Sequence, residues 1–418
     1  GTIALSGISG VTTWQPIIGF QSSDNASSGG VNFGQDSSFQ GLEIPQGNTD
    51  DNSIGDFFYA PPTGYLALCT DNLPDPEVDP NTGDNPEDYF NTVLYTGNNT
   101  TDTAITGVGF APDWIWIKDR LTSNNHILVD RVRGVDKLVY SNGNSVAEID
   151  GAAQIASLDS DGFTLGAAKT YVNESGSIYV AWNWKAGGTP STNTDGTVTT
   201  NVSANQEAGF SVFTYTGTGS SCSVGHGLGT TPKMVWYKNR DTASNWLSLT
   251  TAIDGTTDYV SISSNAAKTN LDSYSITSSV INIGGASTAV NTSGQEHVAF
   301  AFAEKDGYSK IGKFVGAGGA DNTFVYLGFR PAWFLIKRVD TTGDWVLYDN
   351  KRDPFNVGSD RLSPNLADGR LDGASNYGID FVSNGVKFRS GQADTAVSGG
   401  TYIYMAFAEQ PFKYSNAR

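Results

Sequence analysis

The sequence predicts an all-β protein built of tandem β-sandwich repeats with few helices, on the strength of its composition, its lack of helical periodicity and one pattern present three times. The 418 residues include 49 glycines, 11% aromatic residues and only 16% charged residues. Strands favour aromatic and β-branched side chains, and tight turns need residues that accept positive φ, chiefly Gly, Asn and Asp. Runs of Ala, Glu, Lys and Leu at a 3.6-residue period are missing, so few helices are expected. A chain of this length also exceeds what one hydrophobic core serves, so several are expected.

The pattern sets the domains. In the first copy, residues 89–188, Tyr95-Thr96-Gly97 is followed by Gly109-Phe110-Ala111-Pro112-Asp113-Trp114-Ile115-Trp116-Ile117-Lys118. The second, 208–308, has Tyr215-Thr216-Gly217 and then Gly229-Thr230-Thr231-Pro232-Lys233-Met234-Val235-Trp236-Tyr237-Lys238. The third, 311–418, has Phe314-Val315-Gly316 and then Gly328-Phe329-Arg330-Pro331-Ala332-Trp333-Phe334-Leu335-Ile336-Lys337. A glycine three residues before a proline, a mostly apolar run and a lysine recur each time. Each copy also closes on an apolar segment, aligned here on Ala181, Ala299 and Ala406. That alignment sets His297 against Tyr179 and Tyr404, and Trp182 against Phe300 and Phe407.

These strings have the alternation of strands. After Pro112, Trp114 and Trp116 point to one face and Ile115 and Ile117 to the other. Both faces are apolar, so each strand needs its own facing sheet on one side and a neighbouring repeat, loop or subunit on the other. Each copy is therefore expected to be a sandwich of about 100 residues. Jelly-roll-like and immunoglobulin-like strand orders both remain open. Residues 76–88 read as an acidic, Pro-rich linker and 189–207 as an extended Thr/Asn/Ser-rich linker. Residues 1–75 form a separate N-terminal module.

The formal charge of −18 argues against nucleic acid as a partner, because phosphate contacts need a basic stripe. No run of 18 apolar residues is present to insert in a membrane, and the N-terminus lacks a secretory pattern. Cys69 and Cys222 have no metal-like spacing and are expected to be free thiols made in a reducing cytoplasm. No cofactor and no metal are expected.

Among candidate sites, His126, His226 and His297 fit no Ser-His-Asp or metal spacing, and His297 reads as a packed strand residue. Asp159 and Asp161 could form a glycosidase pair, but Asp-x-Asp-Gly before a strand is an ordinary turn. The acidic linker lacks the ligand spacing of a calcium loop. Lys118, Lys238 and Lys337 recur at strand ends, which favours a structural role over ligand contact. Trp182, Trp184, Tyr402 and Tyr404 are the candidates for stacking on a sugar ring, against a larger expectation that recurring aromatics are core. Receptor contacts are otherwise expected in the loops 121–126, 241–246 and 353–376. No catalytic residue is assigned.

Four segments resemble parts of a known family. The closing run from Ala406 through Glu409-Gln410-Pro411-Phe412-Lys413-Tyr414 to Arg418, with Tyr65-Leu66-Ala67-Leu68-Cys69-Thr70-Asp71-Asn72-Leu73-Pro74, resembles the C-terminal part of large proteins encoded among the tail genes of tailed bacteriophages. Those proteins carry a SPRY-like sandwich followed by repeats of a phage domain of unassigned function. Val31-Asn32-Phe33-Gly34-Gln35 and Tyr59-Ala60-Pro61-Pro62-Thr63-Gly64-Tyr65 resemble the last strands of the SPRY-like module, so the chain begins well inside it. The resemblance implies a virion location, on the tail or particle surface, and supplies no catalytic residue. The expected function is that of a tail-fibre or spike-like adhesin, its sandwiches set in a rigid rod and presenting loops to a host glycan or protein. By resemblance the assembly is expected to be a homotrimer among other virion proteins; with no catalytic constellation in the sequence, no enzyme is expected. The alternative is a capsid-decorating or architectural virion protein.

Overall fold

A computed structural model describes residues 31–143, 148–150, 154–167, 170–369 and 376–415. The chain divides into two compact units, Gly1–Pro74 and Asp75–Arg418.

In the first unit the described residues form turns around one isolated bridge, Asn48 to Phe57. Asp50 organises it: its carboxylate accepts from the N–H groups of Asn52, Ile54 and Ala67 and from Asn72. Neither Val31–Gln35 nor Tyr59–Tyr65 is a strand. Gly34 has φ +96°, and the N–H of Tyr65 turns back onto the Pro62 carbonyl, which interrupts extended pairing at both places.

The second unit is all β apart from short 3-10 turns, with antiparallel sheets throughout. Each repeat supplies an opening strand (Phe90–Thr96, Phe210–Thr216, Ser309–Val315), a proline strand (Trp114–Asp119, Met234–Asn239, Phe329–Arg338) and a closing strand (Ile178–Trp184, Glu296–Phe302, Thr401–Pro411). The closing strand lies between the other two in every repeat. A separate three-stranded sheet covers one face of this large sheet: Thr103–Thr106, Gly162–Leu165 and Ile155–Asp159 in the first repeat, Cys222–Gly225, Val280–Ile283 and Ser275–Ile276 in the second, Phe324–Tyr326, Gly385–Phe388 and Ile379–Val382 in the third. Each sandwich has its own interior, formed around Phe163, Ile281 or Val386.

The other face of the three large sheets meets in one shared core. Trp114, Trp116, Trp182, Trp184, Trp236, Trp246, Trp333 and Trp345 all lie in it, with Phe300, Phe302, Met405 and Phe407, and all are buried. Eight of the nine tryptophans of the chain thus occupy one cluster. The repeats form a closed ring, not a rod. Trp246 of the second donates to the Tyr140 carbonyl of the first, and Trp345 of the third to the Ser261 carbonyl of the second. Trp182 of the first closes the circle on Asp349 of the third, where Phe90 also stacks on Phe407 at 5.3 Å. The second apolar face of the proline strands is therefore covered within the chain, and no second copy is needed for that purpose.

Both expected linkers turn out to be packed. Ser191–Asn193 and Thr200–Asn205 extend the large sheet of the second repeat beyond its opening strand. Their Thr and Val residues favour extended backbone, and the Asn205-Gln206-Glu207-Ala208-Gly209 turn returns the chain alongside it. The acidic stretch is a strap whose carboxylates are engaged: Glu77 with the Asp306 N–H and Lys305, Asp79 with Tyr414, Asp84 with Tyr89. Its own Val78 is buried in the shared core.

Register corrects the alignment of the third copy. Phe407 pairs with Trp333 as Trp184 does with Trp114 and Phe302 with Met234. Phe407 is thus the counterpart of Trp184 and not of Trp182, and the partner of His297 is Tyr402, not Tyr404. A two-residue slip leaves every side chain on the same face, so the alternation pattern cannot detect it.

Candidate functional site

The four aromatic candidates for sugar stacking are all internal. Trp182 and Trp184 belong to the shared core, and Tyr402 and Tyr404 to the interior of the third sandwich. Tyr402 stacks on Phe314 at 5.0 Å, Tyr179 on Tyr95 at 4.9 Å and His297 on Tyr215 at 5.2 Å, one contact repeated three times. The Tyr179 hydroxyl accepts from the Glu174 N–H, and that of Tyr402 from Val397. Periodic aromatics meet each other here because one strand position recurs in three equivalent settings.

The recurrent lysines lie one alternate position beyond Trp116, Trp236 and Leu335, on the same strand face, and all are buried. Lys118 donates to the carbonyls of Asp119 and Thr122, Lys238 to that of Ser244, and Lys337 to those of Arg338 and Asn265. Burial brings each ammonium down to about 8. They pin the loops after the proline strands; Asn265 belongs to the neighbouring repeat, so Lys337 also ties a seam of the ring. Pro112, Pro232 and Pro331 serve as approaches to these strands, although in the third copy the strand runs through Pro331 with a register irregularity.

Eight residues after each lysine stand His126, Trp246 and Trp345. His126 replaces the seam tryptophan of the other repeats, a substitution the lysine spacing could have revealed. Its Nδ1 accepts from Trp116 Nε1 at 2.9 Å, while its Nε2 makes no hydrogen bond of good geometry, although carbonyls of Ser363 and Leu366 are close. Burial, then Lys118, holds its pKa well below 6.5. Burial also lowers His226, and lowers His297 to about 4.

The folded protein therefore carries three neutral histidines whose unfolded pKa is near 6.5. A base depressed in the folded state contributes stability that is present above pH 6.5 and lost as pH falls towards its folded value. Thermal melts are expected to drop as pH is lowered from 7 to 4.5. His297→Tyr, with a hydroxyl in reach of the Thr292 N–H as in the other repeats, should flatten that drop. Melts of the two proteins with an unchanged pH difference would refute this.

The two aspartates of the glycosidase pattern hold turns. Asp161 accepts from the N–H groups of Gly107 and Gly109, which lowers its pKa, and Asp159 from Ser157 and Thr164. Among the described residues no group of three or more His, Cys, Asp or Glu side chains could hold a metal ion. Cys69 and Cys222 are free thiols.

Surface features remain. The loops after the first two proline strands carry the same turn: Asp119 accepts from the N–H groups of Leu121 and Thr122, and Asn239 from those of Asp241 and Thr242. Leu121 is 58% exposed, Phe355 75% and Val357 51%. Backbone of residues 120 and 121 lies against Gly369, so the loops of the first and third repeats adjoin across their seam. Residues 370–375 of the third expected loop lie outside the described residues. A cleft of about 700 Å³ opens beside Asp113, Arg131, Lys185, Gln206 and Glu207. Its Asp113 is already engaged by Arg131 and by the N–H groups of Ala186 and Gly188. A second cleft, of about 280 Å³, lies where the second repeat passes into the third, among Glu77 of the strap, Glu304, Asp306 and Lys310.

Residues 85–411 match the model of a domain of unknown function, DUF7483. The chain belongs to the DUF7483 family. The match begins within the acidic strap and ends on the last closing strand, so in this chain the DUF7483 domain takes in all three sandwiches and their shared core. No curated protein and no solved structure matches the chain.

Proposed function

We propose that this protein is a bacteriophage virion surface component, a tail-fibre or spike-like adhesin whose ring of sandwiches is a rigid base for receptor-contacting loops. The observation that carries the reading is that three sandwiches close on a single aromatic core while the adjoining loops of the first and third repeats expose Leu121, Phe355 and Val357. Isolated apolar side chains on a surface are ordinary, but several on neighbouring loops suit contact with a partner. The tail-gene resemblance of the terminal motifs supports the same reading. Partners in it are other virion proteins and a host surface glycan or protein. A homotrimer is retained from the resemblance alone, and light scattering that returns the mass of a single chain would remove it.

Mass spectrometry of purified particles is expected to find the chain, with immunogold label on the tail. Purified protein should compete with particles for adsorption to host cells, and Phe355→Asp should weaken the competition. Label on the head would favour a capsid-decorating role, and absence from particles would end the proposal.

A further inference from the structure

We propose that the cleft beside Tyr326 on the third repeat is a subsite for one neutral hexose of a longer oligosaccharide. The inference deepens the adhesin reading and rests on it only for the source of the sugar.

The strand Phe324–Tyr326 is the edge of the outer sheet of its sandwich. Val325 points into the core, while Phe324 and Tyr326 are 43% and 54% exposed. Pairing places Val325 opposite Val386, Ile105 opposite Phe163 and Val224 opposite Ile281, so these three positions are equivalent. The counterparts of Phe324 and Tyr326 are then Ala104 and Thr106 in the first repeat and Ser223 and Gly225 in the second. The frame is thus complete twice over with small residues at both positions, and exposing two aromatic rings at an edge needs another reason.

The neighbouring cleft supplies one. Its volume of about 280 Å³ is lined by Glu77, Glu304, Lys305, Asp306, Lys310 and Leu327, among others. A methyl group placed on Gly328 would lie 3.7 Å from the Tyr326 hydroxyl and 3.9 Å from Asp306 Oδ1, so the phenol and the carboxylate converge on the same spot. Lys310 Nζ stands 5.0 Å from the centre of the Tyr326 ring. Glu77 and Glu304 are held by the N–H groups of Asp306 and Ile311. Among the described residues the Asp306 carboxylate has no hydrogen-bond or ion-pair partner, and Lys310 Nζ has only the ring.

A pyranose presents an apolar C–H face and a rim of hydroxyls. An exposed aromatic ring accepts the face, a free carboxylate accepts from hydroxyls, and an ammonium donates to them. Three carboxylates against two lysines around the cleft, in a chain of net charge −18, disfavour an acidic sugar. The volume is at or below the lower end of the roughly 300–1,000 Å³ of pockets for drug-sized ligands, which suits a single ring of a chain that continues over Phe324.

Saturation-transfer NMR and calorimetry on the full chain, with hexamers of glucose (α- and β-linked), mannose and galactose and with hexagalacturonate as the acidic control, test this. At least one neutral hexamer is expected to bind. Tyr326→Ala should weaken it by about tenfold, the equivalent of the modest free energy of one ring contact. Asp306→Asn should weaken it severalfold, and Thr106→Ala, at the matching position of the first repeat, should leave it unchanged. All three sites are at the surface, so unchanged melting confirms folded variants. Failure of every neutral hexamer to bind, binding indifferent to Tyr326→Ala, or preference for hexagalacturonate would overturn the subsite. Particle location is read separately by mass spectrometry: a virion protein that binds no hexose loses only the subsite, and a hexose binder absent from virions loses only the adhesin reading.

Discussion

Trp114→Ala is expected to lower stability by about 3–5 kcal/mol, the range for removing a buried large aromatic, and to loosen all three repeats together. The Trp114 ring is fully buried, stacked on Trp184 at 4.2 Å within its own repeat, and packed against Phe300 at 4.9 Å, Phe210 at 5.6 Å and Trp236 at 6.1 Å in the second. Trp184 in turn meets Trp333 edge-to-face at 5.7 Å in the third. A cavity at this junction removes contacts that hold the ring closed, and close-packed neighbours relax only partly into it. Because eight tryptophans share the cluster, intrinsic fluorescence in a urea titration reports the shared core directly. One cooperative transition is expected in the parent, moved as a whole in the variant. Three separable transitions, with only one of them moved, would show that the sandwiches are energetically independent.

A loss of similar size is expected from Asp349→Thr, for an electrostatic reason. Asp349 and Arg352 pair at 2.5 Å with both side chains fully shielded from solvent. The same carboxylate accepts from Trp182 of the first repeat and from the N–H groups of Lys351 and Arg352. Removing one member of a buried pair leaves the other charge uncompensated, which costs about 3–5 kcal/mol, whereas replacing both with packed neutral residues is often nearly neutral. The molecule contains that replacement. Thr250 and Ile253 of the second repeat occupy the positions of Asp349 and Arg352, as Asp130 and Arg133 do in the first. Asp349→Thr with Arg352→Ile is therefore expected to recover most of the loss, short of the Trp182 bond. Chemical denaturation of both variants is the measurement, and a double variant no more stable than the single one would discredit this account of the pair.

How much could be read in advance follows from which interactions are local. Alternation in Trp114-Ile115-Trp116-Ile117 identified a strand with two apolar faces, because side-chain direction along a strand has a period of two and needs no tertiary information. The triple recurrence of proline, apolar run and lysine identified three equivalent sandwiches for the same reason. Slips of two residues, by contrast, are invisible to that period, which is why Phe407 aligned with Trp182 until cross-strand pairing placed it opposite Trp333. Composition misled over 189–207, where Thr and Asn suggested a tether; the open edge of the opening strand Phe210–Thr216 recruits Thr200–Asn205 into a sheet.

The candidate site was the least legible part. Trp182, Trp184, Tyr402 and Tyr404 are conspicuous in sequence, but side-chain type does not tell a buried ring from an exposed one, and all four are enclosed. Tyr326 and Phe324 carry no repeated motif, and only the comparison of equivalent edge strands makes them stand out. Asp306 and Glu77 are far apart in the chain and meet because the acidic strap packs where the second repeat passes into the third.

The sequence alone determined the strand pattern, the threefold repetition and the need to cover a second apolar face on each proline strand, since these depend on the order of side chains along one extended segment. The tertiary structure decided what covers that face and what stays outside. Closing the ring buries the tryptophans of three distant segments against one another, and an enclosure of that kind is a property of three-dimensional packing, with no counterpart in residue order.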